Sequence, residues 1–245
     1  MKTKVTKFSE WISPLTPELI FSGRQAVSNL LPWNGGVLFL LSDPSAGNSQ
    51  ALMFRHSDGL VIRLSPVGMN VRSRVHEYGG FPFTTDETSV FYCNFTDQEI
   101  YKQTYDQVTR VISEPKAVTS SEKSLVRYSD LIFDESHNRL IVVREDHRNS
   151  EGNAAGVINQ LVGIDLSTDK FPVSADHQSI LFDQSDFVAT PCLSPCSKTL
   201  AFVSWSHPNM PWDDTQIQLI ALDDAGLPIK SLEVDEGCKS SKLQP

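Results

Sequence analysis

Three stretches hold most of the side chains able to do chemistry. They are Arg72-Ser73-Arg74-Val75-His76-Glu77-Tyr78-Gly79-Gly80, Arg144-Glu145-Asp146-His147-Arg148, and Trp205-Ser206-His207-Pro208-Asn209-Met210-Pro211-Trp212-Asp213. Arginine forks grip carboxylate and carbonyl oxygens, glutamates balance ammonium groups, and tryptophans offer large apolar contact areas. Each stretch also has a plainer reading. Glu77 and Arg74 are suited to pair with each other, which contributes about 0–1 kcal/mol on a surface. The run from Arg144 to Arg148 suits a solvated face, and His76, His147 and His207 suit structural hydrogen bonds as well as ligand contacts. Tryptophan is costly to expose, so the third stretch should pack, either over a sheet edge or against a docking partner or substrate.

Other chemistries find little support. An α/β-hydrolase nucleophile elbow needs Gly-x-Ser-x-Gly. No such motif occurs, and the segment from Gly152 to Gly156 has Ala154 at its centre. Cys192 and Cys196 lack a second pair to complete a zinc set, Cys93 lies inside an apolar strand pattern, and Cys238 stands in a polar tail. Reduced structural thiols follow, with no metal or cofactor implied. The net charge of −9 disfavours nucleic acid and anionic membrane surfaces. No apolar run reaches the roughly 20 residues of a membrane helix, and the basic start from Met1 to Lys7 lacks a following apolar region. The expected address is the cytoplasm.

The elements that must position these residues are strands. Val37, Val90, Leu140 and Leu200 begin strongly β-prone runs, at spacings of 53, 50 and 60 residues. Each run is preceded by a strand pattern (Val27 to Leu31, Gly80 to Thr84, Tyr128 to Phe133, Phe187 to Leu193). Each is followed by another (Ala51 to Arg55, Glu99 to Tyr105, Ile158 to Leu166, Gln216 to Leu222). A weaker fourth run closes three units, at Leu60 to Leu64, Lys116 to Thr119 and Gln178 to Phe182. Four short strands per unit without intervening helices predict an all-β propeller of four-stranded antiparallel blades. A β-sandwich would not repeat at this period.

Residues 1–24 read as a lead-in, with Thr16 capping a short helix that begins at Pro17. Residues 25–232 carry about four blades, and 233–245 form a polar tail without a closing strand. The ring is therefore expected to be incomplete, and the isolated chain poorly stable or self-associating. In up-and-down blades the loops alternate between the two faces of the disc. The crossovers at Arg72 to Gly80 and Arg127 to Asp130, and the second-to-third-strand loops at Arg144 to Arg148 and Trp205 to Asp213, all fall on one face. That face is the expected binding surface.

The stretches Arg74 to Gly80, Val143 to Arg148 and Ser204 to Asp213, in this order, resemble the prolyl oligopeptidase family of serine peptidases, more narrowly the dipeptidyl aminopeptidase/acylaminoacyl peptidase-like members. The resemblance runs from about Trp11 to Leu232. It implies an N-terminal propeller that gates access to an α/β-hydrolase domain and helps bind the peptide substrate, which that domain cleaves through an acyl-serine intermediate. The family's catalytic serine, aspartate and histidine have no counterparts, so no catalytic residue is carried over. The resemblance makes Arg74, His76, Glu77, Tyr78, Arg144, Glu145, His147, Trp205, His207, Trp212 and Asp213 candidates for substrate or domain contact. By charge type, Arg74 and Arg144 suit substrate carbonyl or carboxylate groups, and Glu77 and Glu145 suit an α-amine. Trp205 and Trp212 suit anchoring against the hydrolase domain. A stand-alone interaction module is the alternative. A small-molecule hydrolase would need acidic or histidine ligands on the inner strands, which supply none.

Overall fold

The computed structural model describes residues 25–232 apart from 121, 151, 153–155 and 169, together with 7, 13, 15–17 and 19. The polar tail and Cys238 lie outside the described residues, as does most of the lead-in. Within the lead-in, the Leu19 amide donates to Thr16 Oγ1 at 3.2 Å, the bond expected of a cap at Thr16.

The chain forms four antiparallel blades. The first holds β1 (Val27–Trp33), β2 (Gly36–Asp43), β3 (Ser49–Arg55) and β4 (Val61–Arg63). The second holds β5 (Phe83–Thr85), β6 (Ser89–Cys93) and β7 (Ile100–Asp106), with two short outer pieces, β8 (Val111–Ile112) and β9 (Lys116–Ala117). Pro115 lies between these pieces and has no N–H to give the ladder, which accounts for the split. Thr119–Ser120 is β10. The third blade holds β11 (Val126–Asp134), β12 (Arg139–Asp146) and β13 (Ile158–Asp165). Val173–Ser174, β14, pairs in parallel with β10 and ties the outer rims of the two blades, before β15 (Ser179–Phe182) closes the third. The fourth holds β16 (Phe187–Leu193), β17 (Thr199–Trp205), β18 (Gln216–Leu222) and β19 (Pro228–Leu232). Sequence pattern missed β19 because a proline opens it, which strand propensity disfavours.

Alternation gives each blade two apolar faces, and the cores lie between neighbouring blades. One cluster joins blades 1 and 2 through Leu38, Leu40, Leu52, Phe54, Phe83 and Tyr92. A second joins blades 2 and 3 through Phe91, Ile100, Tyr128, Leu140 and Ile164. The third joins blades 3 and 4 through Ile141, Leu161, Leu200, Phe202 and Ile220. Among the described residues no such cluster joins blade 4 to blade 1. Phe39 and Leu41, on the β2 face opposite Leu38 and Leu40, are only half-buried. Ile217, across β18 from Ile220, is 58% exposed.

Three inner strands carry a bulge at one register position, where Asn29, Asp130 and Thr190 take positive φ. Cys93 is buried, whereas Cys192 and Cys196 are exposed free thiols. Among the described residues no helix is long and apolar enough to cross a membrane.

The half-buried face of β2 and the exposed Ile217 side of β18 are expected to recruit other chains. Light scattering should give an apparent mass that rises with concentration, and Ile217→Lys should lower it. A monodisperse monomer at every concentration would contradict this.

Candidate functional site

The site is built around two strand partners, Arg127 on β11 and Glu145 on β12, which sit opposite each other in register. Both are buried, at 9% and 4% exposure. Arg127 Nη1 lies 2.9 Å from Glu145 Oε1, 2.7 Å from Glu77 Oε1 and 3.1 Å from the Arg74 carbonyl oxygen. His147 Nε2 pairs with Glu145 Oε1 at 2.6 Å, and the His76 backbone N–H donates to Oε2 at 2.6 Å. A carboxylate held this way has little left to offer a ligand.

The crossover from Arg72 to Gly80 is bent to reach that carboxylate. His76 and Glu77 both take left-handed φ, 54° and 66°, which costs roughly 1–3 kcal/mol per residue. Backbone bonds from Glu77 N–H to the Arg74 carbonyl (2.9 Å) and from Gly79 N–H to the Val75 carbonyl (2.8 Å) hold the turn. Gly80 is required by close approach, since a Cβ there would stand 2.4 Å from Asp130 Oδ1. Asp130 in turn accepts from Phe81 N–H, just before β5, at 2.6 Å and from Thr190 N–H in β16 at 2.9 Å, so one carboxylate on β11 ties the inner edges of blades 2 and 4.

The His76 ring meets blade 4. It stands edge-on to Phe187 at 5.4 Å and to Trp205 at 5.5 Å, while Phe187 stacks on Trp205 at 5.2 Å and meets His207 edge-on at 5.0 Å. Burial lowers the His76 pKa from 6.5 against the opposing pull of Glu145, Asn159 and Asp130. His76 Nε2 and Asn159 Oδ1 are both buried without a hydrogen-bond partner among the described residues. The Glu77 carboxyl is held below its usual value, chiefly by its bond to Arg127.

The candidates thus divide. His76, Glu77, Glu145, His147, Trp205 and His207 converge through bonds and ring contacts. Tyr78 joins them through its 5.8 Å contact with the His76 ring while staying 62% exposed. Arg74 does not pair with Glu77 directly; its guanidinium lies over the Phe95 ring at 5.7 Å. Arg144 turns into the blade, where Nη1 donates to the Ala175 carbonyl at 2.6 Å and to Gln178 Oε1 at 3.0 Å, and Nη2 to Gln160. Arg144, Glu145 and Asp146 are at most 7% exposed, so the stretch is not the solvated face its composition suggested. The stretch ending at Asp213 splits as well. Trp205 is 6% exposed inside β17, whereas Trp212 is 74% exposed on the loop and so does not pack as expected. Asp213 accepts from the Met210 N–H at 2.9 Å and caps its own turn. Arg127 was visible as a charge on the correct face, but nothing in the sequence marked it as the hub. Among the described residues no group of His, Cys, Asp or Glu is placed to hold a metal ion.

Fold and site together define a β-propeller with one polar, aromatic-rich face. Puromycin hydrolase superposes with a TM-score of 0.79 at 22% identity, covering 94% of this chain and 35% of its own. Its S511A mutant complexed with PGG matches equally well, at 0.79 and 22%, covering 93% and 35%. A Mycobacterium tuberculosis puromycin-hydrolyzing peptidase gives 0.77 at 24%, covering 94% and 35%. The chain spans about a third of the length of these structures, and at such identities the likeness establishes the fold. No family model and no curated protein matches the sequence.

Two outcomes follow. Glu145→Ala leaves Arg127 only the exposed Glu77, strips the His76 N–H and His147 of their acceptor, and should cost about 3–5 kcal/mol in urea unfolding, against at most about 0.5 for the exposed Glu122→Ala. A smaller Glu145 effect would remove it from the framework. With its pKa depressed on folding, His76 contributes stability that is complete above 6.5 and is lost as pH falls below it. His76→Gln should flatten the fall in urea midpoint between about pH 7 and 5, above the range where the carboxylates act. An unchanged slope would contradict this.

Proposed function

We propose that this chain is the propeller portion of a prolyl oligopeptidase-like serine peptidase, a non-catalytic wall that gates access and helps bind a peptide beside an α/β-hydrolase domain. The observation that carries this reading is the superposition of nearly the whole chain on about a third of puromycin-hydrolysing enzymes. The three motif stretches add support, since they meet on one face. The chain itself supplies no Gly-x-Ser-x-Gly elbow, so nucleophilic chemistry is assigned to the partner domain.

Within this reading the residues take graded roles. Glu77 is the carboxylate for a peptide α-amine, because its side chain is 73% exposed while Arg127 holds it in place and ionised. Glu145 acts behind it as a positioning residue. Tyr78 and Trp212 present exposed aromatic surface to the peptide or the partner domain. The cytoplasm is the proposed address.

The purified chain should not hydrolyse puromycin or aminoacyl reporters. It should bind a short peptide amide with a free α-amine about two- to fivefold more tightly than the N-acetylated form, and Glu77→Gln should abolish that difference. Hydrolysis blocked by a serine-directed inhibitor, or equal binding of the two peptides, would overturn the assignment.

A further inference from the structure

A cleft of about 410 Å3 opens between the first blade and the crossover into the second. Its walls include Asn29, Asn48 and Gln50 from blade 1, and Arg72, Tyr78 and Gly80 from the crossover. Among the described residues no carboxylate lines it. Arg72 is its cation, and like Arg74 it holds no acid among the described residues and rests on an aromatic ring. Arg110, Arg127, Arg139 and Arg148 each hold a carboxylate. Arg72 holds none among the described residues, although acids outnumber Lys and Arg by 30 to 21. Its guanidinium lies over the Phe95 ring at 5.2 Å, on the ring that Arg74 also covers at 5.7 Å.

The surroundings fix Arg72 without neutralising it. Its N–H donates to the Cys93 carbonyl, and the neighbouring Phe95 N–H donates to the Asn70 carbonyl. The aromatic face orients the guanidinium plane, so the fork loses less freedom when it meets a partner. The side-chain amides of Asn29, Asn48 and Gln50 have no hydrogen bond within the chain among the described residues. They are suited to donate to, and accept from, amide groups next to an anion.

We propose that this cleft is a carboxylate site. Arg72 donates two parallel N–H bonds to the carboxylate oxygens, and the three amides bind the adjacent peptide groups. The ligand class is a short peptide presenting its C-terminal carboxylate. Only the choice of a peptide as the bearer rests on the function proposed above, because the anion preference follows from the cleft's own side chains.

The test uses the full chain and N-acetyl-alanyl-alanine as the free acid and as the C-terminal amide. Acetylation removes the amine that Glu77 would engage, so the two sites are read separately. The acid is expected to bind about tenfold or more tightly than the amide, as a charge-assisted bidentate pair requires. Arg72→Gln should erase the difference, Arg72→Lys should keep part of it, and Arg55→Gln, the same charge change away from the cleft, should keep all of it. Equal binding of acid and amide overturns the carboxylate site, and leaves the peptide-binding reading intact if free-amine peptides still depend on Glu77. Binding of inorganic phosphate with no response to either peptide also overturns it, in favour of a site for small oxyanions. An acid preference that survives Arg72→Gln places the carboxylate elsewhere.

Discussion

A guanidinium and a carboxylate shut inside a stack of sheets, Arg127 and Glu145, govern how this propeller presents its face. Burying both charges carries a large desolvation cost, offset only when every oxygen and N–H finds a partner. Glu145 meets that condition with Arg127, His147 and the His76 N–H, whereas Arg127 keeps Nε buried without a partner among the described residues. An apolar pair could fill the same volume, but it would have no direction. It could not draw a backbone N–H into place or hold two successive residues in left-handed conformation. The ion pair converts blade 3 into a clamp on the crossover that enters blade 2, and His76 carries the connection on to Phe187 and Trp205 of blade 4.

That clamp decides which polar residues remain for work outside the chain. Glu145, Arg144, Asp146 and His147 direct their side-chain hydrogen bonds within the blade or onto neighbouring residues. What stays available is the outer carboxylate edge of Glu77, the rings of Tyr78 and Trp212, and the guanidinium groups on Phe95. The residues that look most functional in composition are therefore largely framework, and the surface for a partner is what the framework holds out.

Sequence pattern was sufficient for the blades because alternation and turn chemistry are local. Phe187 to Leu193 and Gln216 to Leu222 match their strands at both ends. It also brought parts of the motif stretches together, as the His76 contacts to Glu145 and Trp205 show, although residues 127–130 and 144–146, read as loops, lie within β11 and β12. It could not separate Trp205 from Trp212. Both sit in one proline-rich loop pattern, and the difference arises because β17 runs two residues further and turns Trp205 onto Phe187. Nor could it rank Arg127 above Arg144. Their burial differs little, and only the third dimension shows that one faces the crossover and the other faces Gln178.

The bulges explain why the cleft lies where it does. At one register position of the inner strand, blade 3 has Asp130, whose carboxylate takes the backbone N–H of Phe81 on one side and of Thr190 on the other. Blade 1 has Asn29 at the corresponding position, again with positive φ. Blade 3 has a packed neighbour on each side, so its bulge residue finds two amides to bridge. In blade 1 the Asn29 side chain makes no such bridge among the described residues, and Asn29 and Gly80 both line the cleft. The cleft thus lies beside a bulge whose residue bridges no neighbouring strand among those described. Hence its lining keeps the hydrogen-bonding character of a blade-to-blade contact while its cation, Arg72, has no internal acid to meet.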